Sequence, residues 1–373
     1  MKYDEVLIMK NRITQLQSWL KDENVDVAIV TSTDNVFYLS GFYSDPHERL
    51  LATVIFKDDE PFLICPMMEV ESAKRTGYPY SVLGYTDTEN SWELVYKEIQ
   101  KRTSTVQNIA IETTHMNVER FNIIKSMFPN ISILRIEDCL ENMRLIKDET
   151  ELAKLRKACE LADYAIQVGI ETIKEGITEL EIVAAIEYEL KKKGVEKMSF
   201  ATTVLVGANA ASPHGNPGLT KVKKGDFVLF DLGVVYEGYC SDITRTVAYD
   251  HIREGDREVY EAVLRGQEAA IQLSKPGMTC AEIDLEARNI IKEAGYGEYF
   301  THRLGHGLGI GIHEFPSVTE TNPLVLQKGM VYTIEPGIYI PGRIGVRIED
   351  DVVITENGCE VLTKFPKSLQ VIS

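Results

Sequence analysis

The sequence predicts a chain of mixed α and β structure in two parts, a small α/β domain over 1–143 and an α+β domain over 144–373 with an internal duplication. Three observations predict it. The 373 residues are enough for two domains. Short apolar runs alternate with helically spaced segments as far as residue 143. Beyond that point two stretches of sequence occur twice.

In the first part, VDVAIVTS (25–32), LLATVIF (50–56), PFLICP (61–66), NIAIE (108–112) and ISILRI (131–136) are dense in β-branched and apolar residues and predict strands. Ile13, Leu16 and Leu20 keep helical spacing in the opening segment, and MNVERFNIIKSMF (116–128) predicts a second helix. A long helix opens the second part. Asp148 with Glu151 three residues on forms a capping box, apolar positions 152, 155, 159, 162, 166, 170 and 173 share one face, and Gly176 is expected to close it.

The second part repeats itself. KEGITELEI (174–182) matches KPGMTCAEI (275–283), and each leads into a helix running to Gly194 or Gly295. KGDFVLFDLG (224–233) matches KGMVYTIEPG (328–337), which sets Asp231 and Glu335 at the same place in the two copies. A second acid follows each, Asp242 and Glu349, so the acids are expected at matched positions. A two-residue turn at Glu237-Gly238 would pair Tyr236 with Tyr239 and make Asp231 and Asp242 diagonal neighbours on one face, about 7–8 Å apart at the backbone. Arg347 and Glu349 share a face by the strand period of two.

An acid in an apolar strand needs a partner or loses its charge. Four converging carboxylates need protons or cations between them. HRLGHGLGIGIHE (302–314) supplies a histidine, His306, among glycines that allow close backbone approach. Asp231, Asp242, His306, Glu335 and Glu349 together suit two divalent cations sharing a water, with manganese, cobalt, zinc or iron favoured over calcium by the imidazole. The chemistry expected of such a pair is hydrolysis. Alone, each acid reads as an ordinary ion-paired or turn residue, and GHGLG as a flexible turn. The duplication is what joins them.

The formal net charge of −17 argues against a nucleic-acid surface and against a two-metal phosphoesterase. No stretch approaches the roughly 20 apolar residues of a membrane span. The acid-interrupted start MKYDEVLIMKNR does not read as a signal peptide. Six scattered cysteines without a CxxC pair fit a reduced, cytoplasmic compartment.

FDLG…YCSDITRT, HRLGHGLGIGIHE, TIEPGIY and GVRIEDD together resemble the pita-bread metallopeptidase family, which includes methionine aminopeptidase, aminopeptidase P and Xaa-Pro dipeptidase (prolidase). The resemblance covers essentially the whole chain and implies a creatinase/prolidase-like α/β domain before a pita-bread catalytic domain with a pseudo-twofold axis. It implies Asp231, Asp242 and Glu349 on one cation, and Asp242, His306, Glu335 and Glu349 on the other, with Glu335 also shuttling a proton to or from the bridging water. His214 and His313 match positions that contact substrate and help protonate the leaving nitrogen. His302, Tyr339 and Arg347 match supporting positions. All five ligand positions are filled, which disfavours a non-catalytic relative. The N-terminal domain and the loop SDPHERLL (44–51) are similar to those of bacterial Xaa-Pro dipeptidases. The implied activity is therefore metal-dependent cleavage of dipeptides with C-terminal proline by a homodimer, with aminopeptidase P action on longer peptides as the alternative. Within that resemblance His47 or Arg49, with Arg303, is expected to read the free carboxylate of the substrate proline.

Overall fold

A computed structural model describes residues 2–373. The chain divides into two compact units, Met1–Met143 and Arg144–Ser373.

The first unit is a six-stranded sheet in the order Ser81–Tyr85, Phe62–Pro66, Ala52–Phe56, Val27–Val30, Asn108–Ile111, Ser132–Arg135. Phe62–Pro66, Ala52–Phe56 and Val27–Val30 pair antiparallel, and the other three strands join them in parallel. All five expected strands are present, and Ser81–Tyr85 joins them at one edge. That strand escapes a reading by apolar pattern because its side chains are mostly half-exposed and Gly84 interrupts it. The opening helix, Lys2–Asp22, buries Ile13, Leu16 and Leu20, and the expected second helix runs Val118–Met127. The helices Thr33–Ser40, Ser91–Arg102, Val70–Arg75 and Glu137–Leu145 complete this part of the chain. The first two begin at Ser32 and Asn90, whose side chains accept the first free N–H groups.

In the second unit the long helix runs Glu149–Thr172 with both halves of its capping box formed between Asp148 and Glu151. Its end differs from expectation: Ile173 already has extended geometry, and Gly176, at φ 82°, turns the loop beyond it. The duplication is visible in detail. The helices Glu179–Lys192 and Cys280–Glu293 both begin with a capping box, Thr178 with Glu181 and Thr279 with Glu282. Each packs beside a preceding helix, Glu149–Thr172 in one copy and Asp256–Leu273 in the other, and each copy encloses its own apolar core. The preceding helices share no obvious sequence, so this part of the repeat is invisible before the structure.

Each copy then forms an antiparallel ribbon. In the first, Phe227–Leu232 pairs with Ile243–Tyr249 so that Asp231 faces Thr244. Glu237 and Gly238 both have positive φ, as a two-residue hairpin turn of this hand requires, and Tyr236 faces Tyr239. One register holds on both sides of Gly233, which therefore stands across from Asp242. Asp231 and Asp242 are diagonal neighbours, as the sequence predicts.

In the second ribbon, Ile334 faces Asp350 and Gly337 faces Arg347. That single register puts Glu335 directly across from Glu349. The first acids of the two copies therefore match, but the second do not. By register, Glu349 corresponds to Thr244, and Asp242 corresponds to Arg347. The expectation of matched second acids is corrected by two residues, because sequence shows only that an acid follows and not where the ladder places it.

Between the helix Glu179–Lys192 and the first ribbon, the segment 207–218 is folded around the fully buried Glu179. Its carboxylate accepts the N–H of Val206 at 2.8 Å and of Gly218 at 2.7 Å, and the Asn209 amide at 3.0 Å. Glu179→Ala leaves these donors buried without an acceptor, and should lower stability by about 2–4 kcal/mol in urea unfolding. A midpoint unchanged from wild type would show that the loop folds without this carboxylate.

Candidate metal centre

A cavity of about 550 Å³ opens between the two ribbons of the second unit. Eleven residues singled out from the sequence line it: Asp231, Asp242, His306, Glu335, Glu349, His214, His302, Arg303, His313, Tyr339 and Arg347. His47 and Arg49 belong to the first unit. Arg49 is held there by Asp87 at 2.9 Å, and Arg120 donates to its carbonyl at 3.2 Å.

The ribbons deliver four acids at strand ends. His306 comes from the short strand Gly305–Gly307, which lies against Val331–Ile334 and Glu314–Val318. Both flanking glycines are required by close approach. A Cβ on Gly305 would lie 1.9 Å from the Thr333 carbonyl oxygen, and one on Gly307 2.3 Å from that of Phe315. The His306 N–H donates to Thr333 Oγ1 at 3.1 Å. Its Nδ1 lies 3.1 Å from the Gly307 carbonyl, an acceptor only, so Nδ1 carries a proton and Nε2 is the nitrogen that faces the acids. Nε2 lies 3.3 Å from Glu335 and 3.8 Å from Asp242.

Asp242, His306 and Glu349 are buried, and each offers a ligand atom within 4.8 Å of the others'. Asp242 Oδ1 and Glu349 Oε1 have no hydrogen-bond partner. Buried carboxylate oxygens without donors are uncommon and costly, and they fit the donor set of a cation better than any role in packing. Burial, followed by Glu349 and Asp231 nearby, pushes the Asp242 carboxyl well above its ordinary range. Burial, then Glu335 and Asp231, does the same to Glu349. Burial also raises Asp231, against the opposing pull of Arg347. Glu335 moves the other way: burial is outweighed by its hydrogen bond to His306 and by the charge of Arg347. The protein alone therefore does not neutralise this set. Oxygen donors with one imidazole are the chemistry of a divalent cation site.

The surroundings fix the geometry. Arg347 is buried and donates to Asp231 Oδ2, to Tyr339 Oη at 2.7 Å and to Thr244 Oγ1 at 3.0 Å. His302 Nδ1 lies 2.7 Å from the Arg303 carbonyl, which assigns the proton to Nδ1. Its Nε2 then accepts from Tyr339 at 3.0 Å. His313 packs edge-on to His306 with ring centres 4.2 Å apart, and burial with the His306 charge pushes it down to about 4. Next to it, Glu314 is gripped by Arg144 and by Lys147 at 3.2 Å and accepts the Gly311 N–H at 2.8 Å. These two cations overcome burial and hold Glu314 down to about 2, fixing the loop that carries His313. Sequence reading missed Glu314, Thr244 and Asp351 as supports, since no local pattern announces a partner more than 100 residues away.

Residues 153–356 match metallopeptidase family M24, and residues 12–146 match the creatinase/prolidase N-terminal domain. The chain is 50% identical over 362 residues to a putative dipeptidase of Bacillus subtilis, covering 97% of this chain and 100% of that one. It is 47% identical to a Xaa-Pro dipeptidase of Lactobacillus delbrueckii subsp. lactis, covering 96% and 98% of the two chains. The crystal structure of a prolidase from Pyrococcus horikoshii superimposes with a TM-score of 0.90 at 37% identity, over 96% of this chain and 99% of that one.

A cation that fills this site stabilises the fold by mass action. Free manganese at about 100 times its dissociation constant should add about 2.7 kcal/mol per site. The gain, read as the rise in melting temperature over a chelated sample, should vanish in Asp242→Asn. Equal melting temperatures with manganese and with chelator in the wild type would refute the assignment.

Proposed function

The chain belongs to metallopeptidase family M24, and from that premise we propose that it is a Xaa-Pro dipeptidase that hydrolyses the bond before a C-terminal proline. The observation that carries the reading is the juxtaposition in one cavity of the Asp242, His306 and Glu349 donors with the Arg303 guanidinium, a group able to pair with a carboxylate. Relatives named for this activity match the chain over nearly its full length, which supports it.

In this reading Asp231, Asp242 and Glu349 hold one divalent cation, and Asp242, His306, Glu335 and Glu349 hold a second. Manganese is the proposed metal. When bound, such a pair polarises the scissile carbonyl and lowers the pKa of water. The chain's own residues do the remaining work. Glu335 is the base that takes a proton from water and returns it to the leaving nitrogen. His313, a neutral imidazole near pH 7, donates an N–H toward the scissile carbonyl or leaving group, and His214 lines the cavity from the loop held by Glu179. Tyr339 and His302 keep Arg347 aimed at Asp231.

The imide nitrogen of a substrate proline carries no hydrogen, and its φ is fixed. Recognition must therefore use the ring, the carbonyl and the free carboxylate. Arg303 donates to Ser317 Oγ at 3.2 Å and has no carboxylate partner among the described residues, so its guanidinium is available for bidentate pairing. Arg49, engaged by Asp87, is the weaker candidate, with His47 beside it. The reading includes a homodimer and a cytosolic location. All six cysteines are free thiols, as a reducing compartment favours, and no helix is long and apolar enough to cross a membrane.

Aminopeptidase P action is the alternative, and substrate length separates the two. With manganese loaded, kcat/KM on Ala-Pro should exceed that on Ala-Pro-Ala, and Arg303→Ala should lower the Ala-Pro value by about 10²-fold or more while sparing the tripeptide. Preference for the tripeptide would instead assign aminopeptidase action, and equal losses on both substrates would remove Arg303 as the carboxylate reader.

A further inference from the structure

Asp242 and Glu349, on the metallopeptidase reading, are the two carboxylates that would belong to both ligand sets. Each comes from one repeat and is gripped by the other. Asp351 Oδ2, on the second ribbon, accepts the main-chain N–H of Asp242 at 2.9 Å. Thr244, on the first ribbon, donates its hydroxyl to Glu349 Oε2 at 2.6 Å, and its carbonyl accepts the Glu349 N–H at 3.1 Å. Because Arg347 Nε donates to Thr244 Oγ1 at 3.0 Å, the hydroxyl proton is directed to Glu349.

The exchange follows the pseudo-symmetry. By register Thr246 corresponds to Asp351, and Arg347 to Asp242. Thr246 Oγ1 lies 3.3 Å from the Arg347 N–H, as Asp351 Oδ2 meets that of Asp242. Thr244 and Asp351 are fully buried, and Asp351 keeps its second oxygen, Oδ1, without a partner. Its other oxygen also receives the Cys159 thiol at 3.3 Å from the long helix. A half-satisfied buried carboxyl lowers stability relative to an apolar residue of the same size. Its return lies in what it holds.

We propose that Thr244 and Asp351 are positioning residues for the cation pair, clasping Glu349 and Asp242 across the pseudo-twofold axis so that their unpartnered oxygens stay convergent. Neither residue is a ligand or touches substrate. Outer partners of metal ligands are worth about 10- to 100-fold in affinity.

The test is manganese titration of the metal-free protein by calorimetry for wild type, Thr244→Val, Thr244→Ser, Asp351→Ala and Asp351→Asn. It is read with the electron paramagnetic resonance spectrum at two equivalents and a melt of each metal-free protein. Thr244→Val and Asp351→Ala should each bind the weaker equivalent about 10- to 100-fold less tightly, and show six-line signals of isolated ions in place of a coupled pair. Thr244→Ser restores the hydroxyl and Asp351→Asn keeps an acceptor, so both should recover the coupled spectrum. The two positions are independent arms, and either decides if a variant at the other does not fold. Lower melting temperatures with wild-type affinity and coupling would make these residues parts of the fold only, as would a Thr244→Ser no better than Thr244→Val. A wild type that takes up no manganese would overturn the metal reading and the clasp with it.

Discussion

The constraint on which this structure turns is electrostatic: four carboxylates converge in a low-dielectric cleft where they repel one another. Among the described residues, only Arg347 and His306 oppose them directly. One arginine commits most of its donors to Asp231, Tyr339 and Thr244, and one imidazole leans on Glu335, leaving Asp242 Oδ1 and Glu349 Oε1 without a hydrogen-bond partner. A fold that did not need the convergence would replace these acids with apolar side chains at a gain in stability. The arrangement makes sense as a cradle for positive charge supplied from outside the chain.

Three successive buried acids show how narrowly this is arranged. Asp350 accepts from Arg245 at 2.7 Å, Thr363 at 2.7 Å, and Gln267 and Lys367 at 2.8 Å. Burial would raise it, but Arg245 and Lys367 pull it down to about 2. It is a fully satisfied strut. Its neighbours Glu349 and Asp351 each keep a bare oxygen, and burial pushes both well above the ordinary range. Solvation is thus identical in kind along Glu349-Asp350-Asp351, and the partners alone separate the satisfied Asp350 from the two acids beside it. The strand alternation sends Asp350 into the second core and its neighbours toward the axis.

This contrast also explains what could be read in advance. Asp231, Asp242, Glu335 and Glu349 were legible because a repeat and a hairpin turn are local signals, and His306 because glycines flank it: Glu237-Gly238 sets a register, and the register sets which side chains share a face. The strands of the first unit were legible for the same reason, except Ser81–Tyr85, whose faces carry no apolar alternation. What stayed hidden depended on contacts between distant segments. Thr244 meeting Glu349, Asp351 meeting Asp242, and Lys147 meeting Glu314 each span more than 100 residues. The two-residue offset between the second acids was hidden too, since it exists only in the ladder.

That offset gives the duplication its chemistry. Strict symmetry would place a carboxylate opposite Asp242 in the position of Arg347, removing the guanidinium that meets Asp231 and adding a fifth negative charge. It would also set two glutamates face to face at the axis, where Thr244 now meets Glu349. With one position changed to arginine and its neighbour on the axis to threonine, repulsion becomes an ion pair and a charge-assisted hydrogen bond. The two halves supply matching strands, and the departure from matching makes their acids compatible in one cavity. It also makes the two sides of the cavity unlike: Asp231 meets its arginine on one, and His306 meets Glu335 on the other. A centre with inequivalent ends can bind a substrate in one direction, which cleavage of a chain with distinct termini requires.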